Sequence, residues 1–184
     1  MPEEWSRFQF HARHVTTLCI DENSCRGSGY FPPTAFLRFL VDHYPGPGPI
    51  LPRLDCLFVR EWDASPYTHV FLHQPLQYLE IRSTDVSHLM IVLKHVEQNT
   101  STLRYLEFNK ENNEGLDERS VQAQLSKAVC SLHELKFLVG GPLPLHSPAL
   151  LHLSSSRTLL QLHLWVSEFN LDVWRSPLSN CLSL

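Results

Sequence analysis

Histidine and cysteine are the residues of this sequence that could hold a metal ion. The chain contains 11 His and 5 Cys residues. His11 and His14 are three residues apart at the end of a predicted helix, and Cys19 and Cys25 follow. A zinc site needs four converging ligands, and the spacing of these two cysteines does not match a zinc knuckle. We therefore expect no metal centre and no cofactor.

Motifs that carry enzymatic chemistry are also missing from the sequence. It contains no Gly-x-Ser-x-Gly elbow, no phosphate-binding loop and no Gly-x-Gly-x-x-Gly fingerprint. His69 and His73 are four residues apart and would share one face of a short helix, but no third ligand is evident. The sequence therefore predicts a protein that is not an enzyme.

Charge and composition narrow the class of partner. The formal net charge is −4 and the sequence pI is about 6.2, which argues against a nucleic-acid or anionic-membrane surface. The cysteines are scattered and odd in number, which favours a reducing compartment. The first residues resemble no signal peptide, and no stretch is apolar enough for a membrane helix. We expect a cytoplasmic or nuclear protein with a protein partner.

A recurring leucine pattern predicts the strands of the protein, and these strands would hold the residues of any functional site. The form Leu-x-x-Leu-x-apolar begins at residues 54, 76, 103, 132 and 159, with a looser copy at 15. A period in the twenties is typical of leucine-rich repeats. The predicted strands lie near 15–20, 54–59, 76–81, 103–108, 132–139 and 159–166. The alternative, chance clustering of leucines, does not account for the shared spacing.

These elements predict an α/β leucine-rich-repeat solenoid, with a curved parallel sheet on the concave face and helices on the convex face. Residues 1–184 would form one domain of about six repeats. Helices are expected at 3–13, 32–44, from 65, after 84, at 117–130 and from 147. The last segment, from residue 167, would be a partial repeat or a cap.

Strand alternation identifies the residues that would face away from the core. Tyr78 would lie beside Tyr105 and Glu80 beside Glu107, with Arg82 next to them. We predict that these five residues form the centre of a protein-binding surface, since aromatic residues and arginine are enriched in interface hot spots. Two adjacent carboxylates would favour a cationic partner. The surface would extend to Phe58, Arg60, Trp165 and Lys136, which would lie beside Glu107. Leu138 would also face outward. The alternative is the solvated side of a sheet, with tyrosine favoured by β-propensity.

The sequence resembles the repeat region of fungal F-box/leucine-rich-repeat proteins. Glu-Trp-Ser-Arg-Phe at 4–8, Leu-Pro-Arg-Leu at 51–54 and the segments 74–81 and 99–108 carry the resemblance. It implies a module that recognises substrates of a cullin-type ubiquitin ligase, in which a separate F-box binds a Skp-type adaptor. No F-box opening of the form Leu-Pro-x-Glu precedes the first helix. The alternative is therefore a structural or regulatory leucine-rich-repeat protein that lacks an F-box and has no ligase role.

Overall fold

Helices and strands alternate along the chain. The computed structural model describes residues 2–21, 33–44, 48–60, 65–72, 75–83, 86–99, 102–110, 118–141 and 145–164. The strands are β1 Thr17–Ile20, β2 Cys56–Val59, β3 Tyr78–Ser83, β4 Tyr105–Lys110, β5 Phe137–Gly140 and β6 Gln161–Leu164. The helices are α1 Pro2–Ala12, α2 Pro33–His43, α3 Ser65–Thr68, α4 Val86–Asn99, α5 Glu118–Ser131 and α6 Ser147–Ser155. A 3-10 turn at His69–Phe71 follows α3. The predicted helices are confirmed to within a few residues.

The six strands form one open sheet in which every neighbouring pair is parallel. Their order is β1-β2-β3-β4-β5-β6, so strands that follow each other in sequence are neighbours in space. Parallel neighbours require a crossover connection, and helices supply it between successive strands. The alternation of strand and helix therefore builds the sheet one strand at a time.

One hydrogen-bond pattern recurs at the start of each strand from β2 to β6. The amides of Asp55 and Cys56 both donate to the carbonyl of Thr16, at 2.8 and 3.0 Å. The carbonyls of Asp55, Gln77, Arg104 and Lys136 each accept two amides of the next strand in the same way. The strands are therefore held in one continuous register.

The register at β5 differs from the predicted one. Leu138, expected to face outward, pairs with Leu106 and Leu162 and is fully buried. Lys136 lies before the strand, level with Arg104, and not beside Glu107 as expected. The position beside Glu107 belongs to Val139. The prediction was wrong by three residues.

The cause of this error is a run of three equally spaced leucines. Leu132, Leu135 and Leu138 are each three residues apart, so the motif fits in two registers. Helix α5 continues to Ser131, and the Leu132 amide then donates to the Val129 carbonyl at 3.1 Å. The predicted strand began at residue 132, but the chain is still turning there. The leucine motif of β5 therefore starts at Leu135 instead of Leu132.

The core lies between the sheet and the helices. One leucine from each of the strands β2 to β5 lies beside its neighbour on the core side of the sheet: Leu57, Leu79, Leu106 and Leu138. We call this row the leucine column, and these four side chains have no exposed surface. One hydrophobic cluster extends from Ala12 to Leu153. At β6 the equivalent leucine, Leu162, is 39% exposed. The leucine column is therefore best packed in the middle of the sheet.

Gly140 makes room for an aromatic ring in the core. It pairs with Phe108 on β4, and a Cβ atom built on it would lie 2.8 Å from Cζ of Phe108. Phe108 is 1% exposed, so its ring has little space to move. Overpacking of this kind destabilises a core by about 1–3 kcal/mol.

We expect Gly140→Ala to lower the free energy of unfolding by about 1–2 kcal/mol, since the better strand conformation of alanine offsets part of the clash. Urea denaturation followed by circular dichroism measures the change. Gly48→Ala is the matched control, because a Cβ there would meet nothing within 4 Å. Equal effects of the two substitutions would contradict the packing described for Gly140.

Candidate functional site

The face of the sheet opposite the leucine column carries the candidate site. Because side chains alternate along a strand, two rows of residues from the six strands lie on this face. The first row is Thr17, Cys56, Tyr78, Tyr105, Phe137 and Gln161, and the second is Cys19, Phe58, Glu80, Glu107, Val139 and His163. We call this surface the open face.

Four aromatic rings lie next to one another in a continuous row across the open face, and the central pair is stacked. Tyr78 and Tyr105 are nearly parallel, with ring centroids 4.1 Å apart and planes inclined by 11°. Phe58 lies 4.9 Å from Tyr78, and Phe137 lies 5.8 Å from Tyr105. All four side chains are half-buried. This aromatic ladder places a rigid apolar surface at the centre of the face.

Glu80 is buried on the open face although its strand position points it outward. The residue is 3% exposed. Its Oε1 atom accepts hydrogen bonds from Arg60 Nε at 2.9 Å and Arg82 Nε at 3.0 Å, and its Oε2 accepts from Arg60 Nη2 at 3.2 Å. Hydrogen bonds between ionised groups are about twice as strong as neutral ones. We call these three residues the Arg–Glu cluster.

The Arg–Glu cluster contacts the aromatic ladder through Arg60. The Cζ atom of Arg60 lies 5.6 Å from the centroid of the Phe58 ring, within range of a cation–π interaction. The same guanidinium therefore bonds Glu80 and covers Phe58. The charged and aromatic parts of the open face form one contiguous surface.

Tyr105 connects the ladder to Glu107. Its hydroxyl donates to Oε2 of Glu107 at 2.9 Å. Burial raises the pKa of Tyr105, and its hydrogen bonds with Tyr78 and Glu107 raise it further. Burial also raises the pKa of Tyr78. Both phenols therefore stay protonated at pH values where free tyrosine ionises.

These raised pKa values predict a loss of stability in alkali. Tyrosine in the unfolded chain ionises near pH 10, whereas folded Tyr78 and Tyr105 retain their protons to higher pH. The folded state then binds more protons, so the free energy of unfolding falls as pH rises above about 10.

We expect the free energy of unfolding to be lower at pH 11 than at pH 8, as measured by urea denaturation at both pH values. In Tyr78→Phe/Tyr105→Phe, part of this pH dependence should disappear. If the double variant loses as much stability as the wild type between these pH values, the stated burial of the phenols is wrong.

The carboxylates of Glu80 and Glu107 lie on adjacent strands, as predicted, but each already has a partner. Glu80 pairs with two guanidinium groups, and Glu107 accepts the Tyr105 hydroxyl. The expectation of a cationic partner assumed two uncompensated negative charges. Because Arg60 and Arg82 balance Glu80 within the chain, that assumption no longer holds.

Most of the predicted site residues come together on this face. Tyr78, Glu80, Arg82, Tyr105, Glu107, Phe58 and Arg60 form the ladder and its charged edge. Lys136 is half-buried and lies outside both rows, beside Arg104. Trp165 lies outside the described residues.

Phe137 and Val139 were missed because of the register error at β5. Their position could have been inferred from Gly140, since only the corrected register places a glycine beside the bulky Phe108.

A separate apolar cavity of about 310 Å³ lies where α1, β1 and α2 meet. Its lining includes Phe8, Leu18, Ile20 and Phe36, and all the lining side chains are hydrocarbon except Cys19. Ligand pockets usually combine an apolar wall with a few placed polar groups that fix orientation. The open face, which has such groups, is the stronger candidate.

Two kinds of feature are absent from the described parts of the chain. There, no three His, Cys, Asp or Glu residues are grouped so that they could hold a metal ion. Within the same residues, no helix has the length and apolar character needed to cross a membrane.

Comparison with protein-family models, curated proteins and solved structures finds no match to this chain. The open face must therefore be interpreted from its own chemistry.

Proposed function

We propose that this chain is a protein–protein interaction module that binds its partner on the open face. The observation that carries this proposal is the aromatic ladder with its adjoining arginines on the sheet face opposite the core. Aromatic residues and arginine dominate interface hot spots because they bury large areas and make directional contacts. The ladder is also fixed by stacking, which lowers the entropy lost on binding.

We further propose that the architecture is a leucine-rich-repeat solenoid. The spacing of the leucine motifs, the strictly sequential strand order and the recurring hydrogen-bond pattern support this proposal. In such a protein each repeat contacts only its neighbours, and the sheet offers an extended surface to a partner. The proposed function uses the central strands of that surface.

The biological context is proposed from the resemblance to F-box/leucine-rich-repeat proteins. Substrate recognition for a cullin-type ubiquitin ligase would use the open face and would need a Skp-type adaptor to reach the ligase. The alternative, a regulatory protein without a ligase role, needs no adaptor. A pull-down of this chain with a purified Skp-type adaptor separates the two, since stable direct binding would contradict the regulatory alternative.

The test of the binding proposal is a pair of substitutions at the centre of the face. Tyr78→Ala/Glu107→Ala removes a stacked ring and the acceptor of the Tyr105 hydroxyl. A hot-spot pair is worth at least about 2 kcal/mol, so partner capture should fall about 30-fold or more. Capture is measured by affinity purification and quantitative mass spectrometry, with the fold checked by circular dichroism.

The matched control is Arg38→Ala/Asp42→Ala on α2. These side chains form an exposed ion pair at 3.6 Å, away from the open face. The control should capture the same proteins as the wild type. Undiminished capture by a folded Tyr78→Ala/Glu107→Ala chain would refute the proposed function.

A further inference from the structure

The charge that the Arg–Glu cluster presents to solvent is positive. The Glu80 side chain is 4% exposed, whereas those of Arg60 and Arg82 are 35% and 40% exposed. Both Glu80 oxygens are occupied by the two guanidinium groups. A molecule approaching the cluster therefore meets N–H donors rather than a carboxylate.

Contacts with the described residues use only some of these donors. A guanidinium has five N–H groups. In the contacts between described residues, Arg60 bonds Glu80 through Nε and Nη2, and Arg82 bonds it through Nε alone. The Nη atoms of Arg82 form the edge of the fork that matches a carboxylate in two parallel hydrogen bonds.

The guanidinium groups are also preorganised. Glu80 fixes both at once, and the Phe58 ring lies against Arg60. Long side chains normally lose rotamer entropy when they bind. Here part of that entropy is already lost in the free protein, so an anion would be bound at lower cost.

Among the described residues, the acidic groups next to the cluster leave Arg82 as the main contact. Asp21 follows β1 and lies on the side of Arg60 away from Arg82, as the bond from the Arg60 amide to the Ile20 carbonyl shows. Glu107, on the strand beyond Arg82, is half-buried and accepts the Tyr105 hydroxyl. Of the three charged side chains between Asp21 and Glu107, that of Arg82 is the most exposed to solvent.

We propose that the open face recognises an acidic protein segment. An Asp or Glu carboxylate of the partner bonds Arg82 and Arg60, and an adjacent aromatic or apolar side chain packs on Tyr78 and Tyr105. This inference rests on the proposed function and specifies its partner. It also reverses the sign of partner charge that the sequence had favoured.

The experiment uses two synthetic probes of opposite charge. Fluorescently labelled Glu/Tyr and Lys/Tyr copolymers are titrated with the full chain, and binding is followed by fluorescence anisotropy. The Glu/Tyr copolymer is expected to bind more tightly than the Lys/Tyr copolymer. Since a hydrogen bond to a charged group contributes about 1.5–3 kcal/mol, Arg82→Gln should weaken Glu/Tyr binding at least about tenfold.

Matched variants exclude a general charge effect and a folding effect. Arg38→Gln removes the same charge from α2, where the side chain is 70% exposed, and should leave binding unchanged. In the wild-type chain, the Nε–Hε NMR resonance of Arg82 should shift on addition of the Glu/Tyr copolymer. This second measurement holds even if Arg82→Gln fails to fold.

The outcomes separate this inference from the proposed function. Preference for the Lys/Tyr copolymer, absence of binding to either probe, or an Arg82 resonance that does not move would overturn the acidic partner. If Tyr78→Ala/Glu107→Ala loses its natural partner while Arg82→Gln retains it, the open face still binds protein and only the anion inference fails. If neither variant changes capture of that partner, both proposals fail.

Discussion

Replacing Leu106 with alanine is expected to lower the free energy of unfolding by about 3–5 kcal/mol. Leu106 lies in the middle of the leucine column, between Leu79 and Leu138, and has no exposed surface. Neighbours on both sides restrict how far the structure can relax into the cavity. Since a domain of this size has only about 5–15 kcal/mol of stability, this substitution should bring the chain close to unfolding.

Leu160→Ala provides the matched control for Leu106→Ala. The chemical change is identical, but Leu160 is 71% exposed and precedes β6. Its effect should stay within about 0.5 kcal/mol. Leu162→Ala, at the partly exposed end of the column, should lie between the two. Urea denaturation of the three variants would contradict the described packing if their losses did not follow this order.

Replacing Glu80 with alanine is expected to cost about 2–3 kcal/mol of unfolding free energy. Removing one member of a buried ion pair typically costs about 3–5 kcal/mol, because the partner charge is left uncompensated. Here the remaining guanidinium groups are 35% and 40% exposed, so water screens them and the cost is smaller. The two arginines would also repel each other once the carboxylate between them is gone.

Glu134→Ala is the control for Glu80→Ala. Glu134 also pairs with an arginine, Arg104, at 3.7 Å, but the two side chains are 53% and 48% exposed. An exposed pair contributes about 0–1 kcal/mol. Thermal and urea denaturation should therefore separate the variants clearly. If both lose the same stability, Glu80 is not the buried centre of the cluster.

The spacing of the leucines predicted most of the strands and helices, because buried residues recur with the period of the strand or helix that carries them. Strands β1 to β4 and β6 begin within two residues of the predicted positions, and the helices lie within a few residues of theirs. Alternation then correctly placed Tyr78 beside Tyr105 and Glu80 beside Glu107. These features depend only on local periodicity and on neighbouring strands sharing a register.

Two features depended on contacts that periodicity does not encode. The leucine pattern alone left the β5 register open, because Leu132, Leu135 and Leu138 satisfy the motif in two ways, and the choice is made by where α5 ends. The burial of Glu80 also escaped prediction, because it results from Arg60, which follows β2, and Arg82, on β3, converging on one carboxylate. Strand alternation predicts which face of the sheet a side chain points to. It does not predict whether other side chains then cover it.

The Arg–Glu cluster links stability to recognition on the open face. Glu80 keeps two arginines in place at the edge of the aromatic ladder, and their contacts with described residues leave outer N–H groups unused. A buried ion cluster is weak evidence for stability alone, since apolar residues can often replace it. Its proposed value here is that it holds a charged recognition group beside a rigid aromatic surface.

Site-specific photo-crosslinking tests most directly whether the partner binds the open face. Phe137, half-buried in the ladder, is replaced by p-benzoylphenylalanine, and Phe39, 46% exposed on α2, is replaced in the same way as a control. After irradiation in cell extract, position 137 should form an adduct with the protein that the wild type captures and Tyr78→Ala/Glu107→Ala does not. Position 39 should form none with that protein. Crosslinking of that partner from position 39 and not from position 137 would show that it binds the helical side, and the open face would then not be the binding surface.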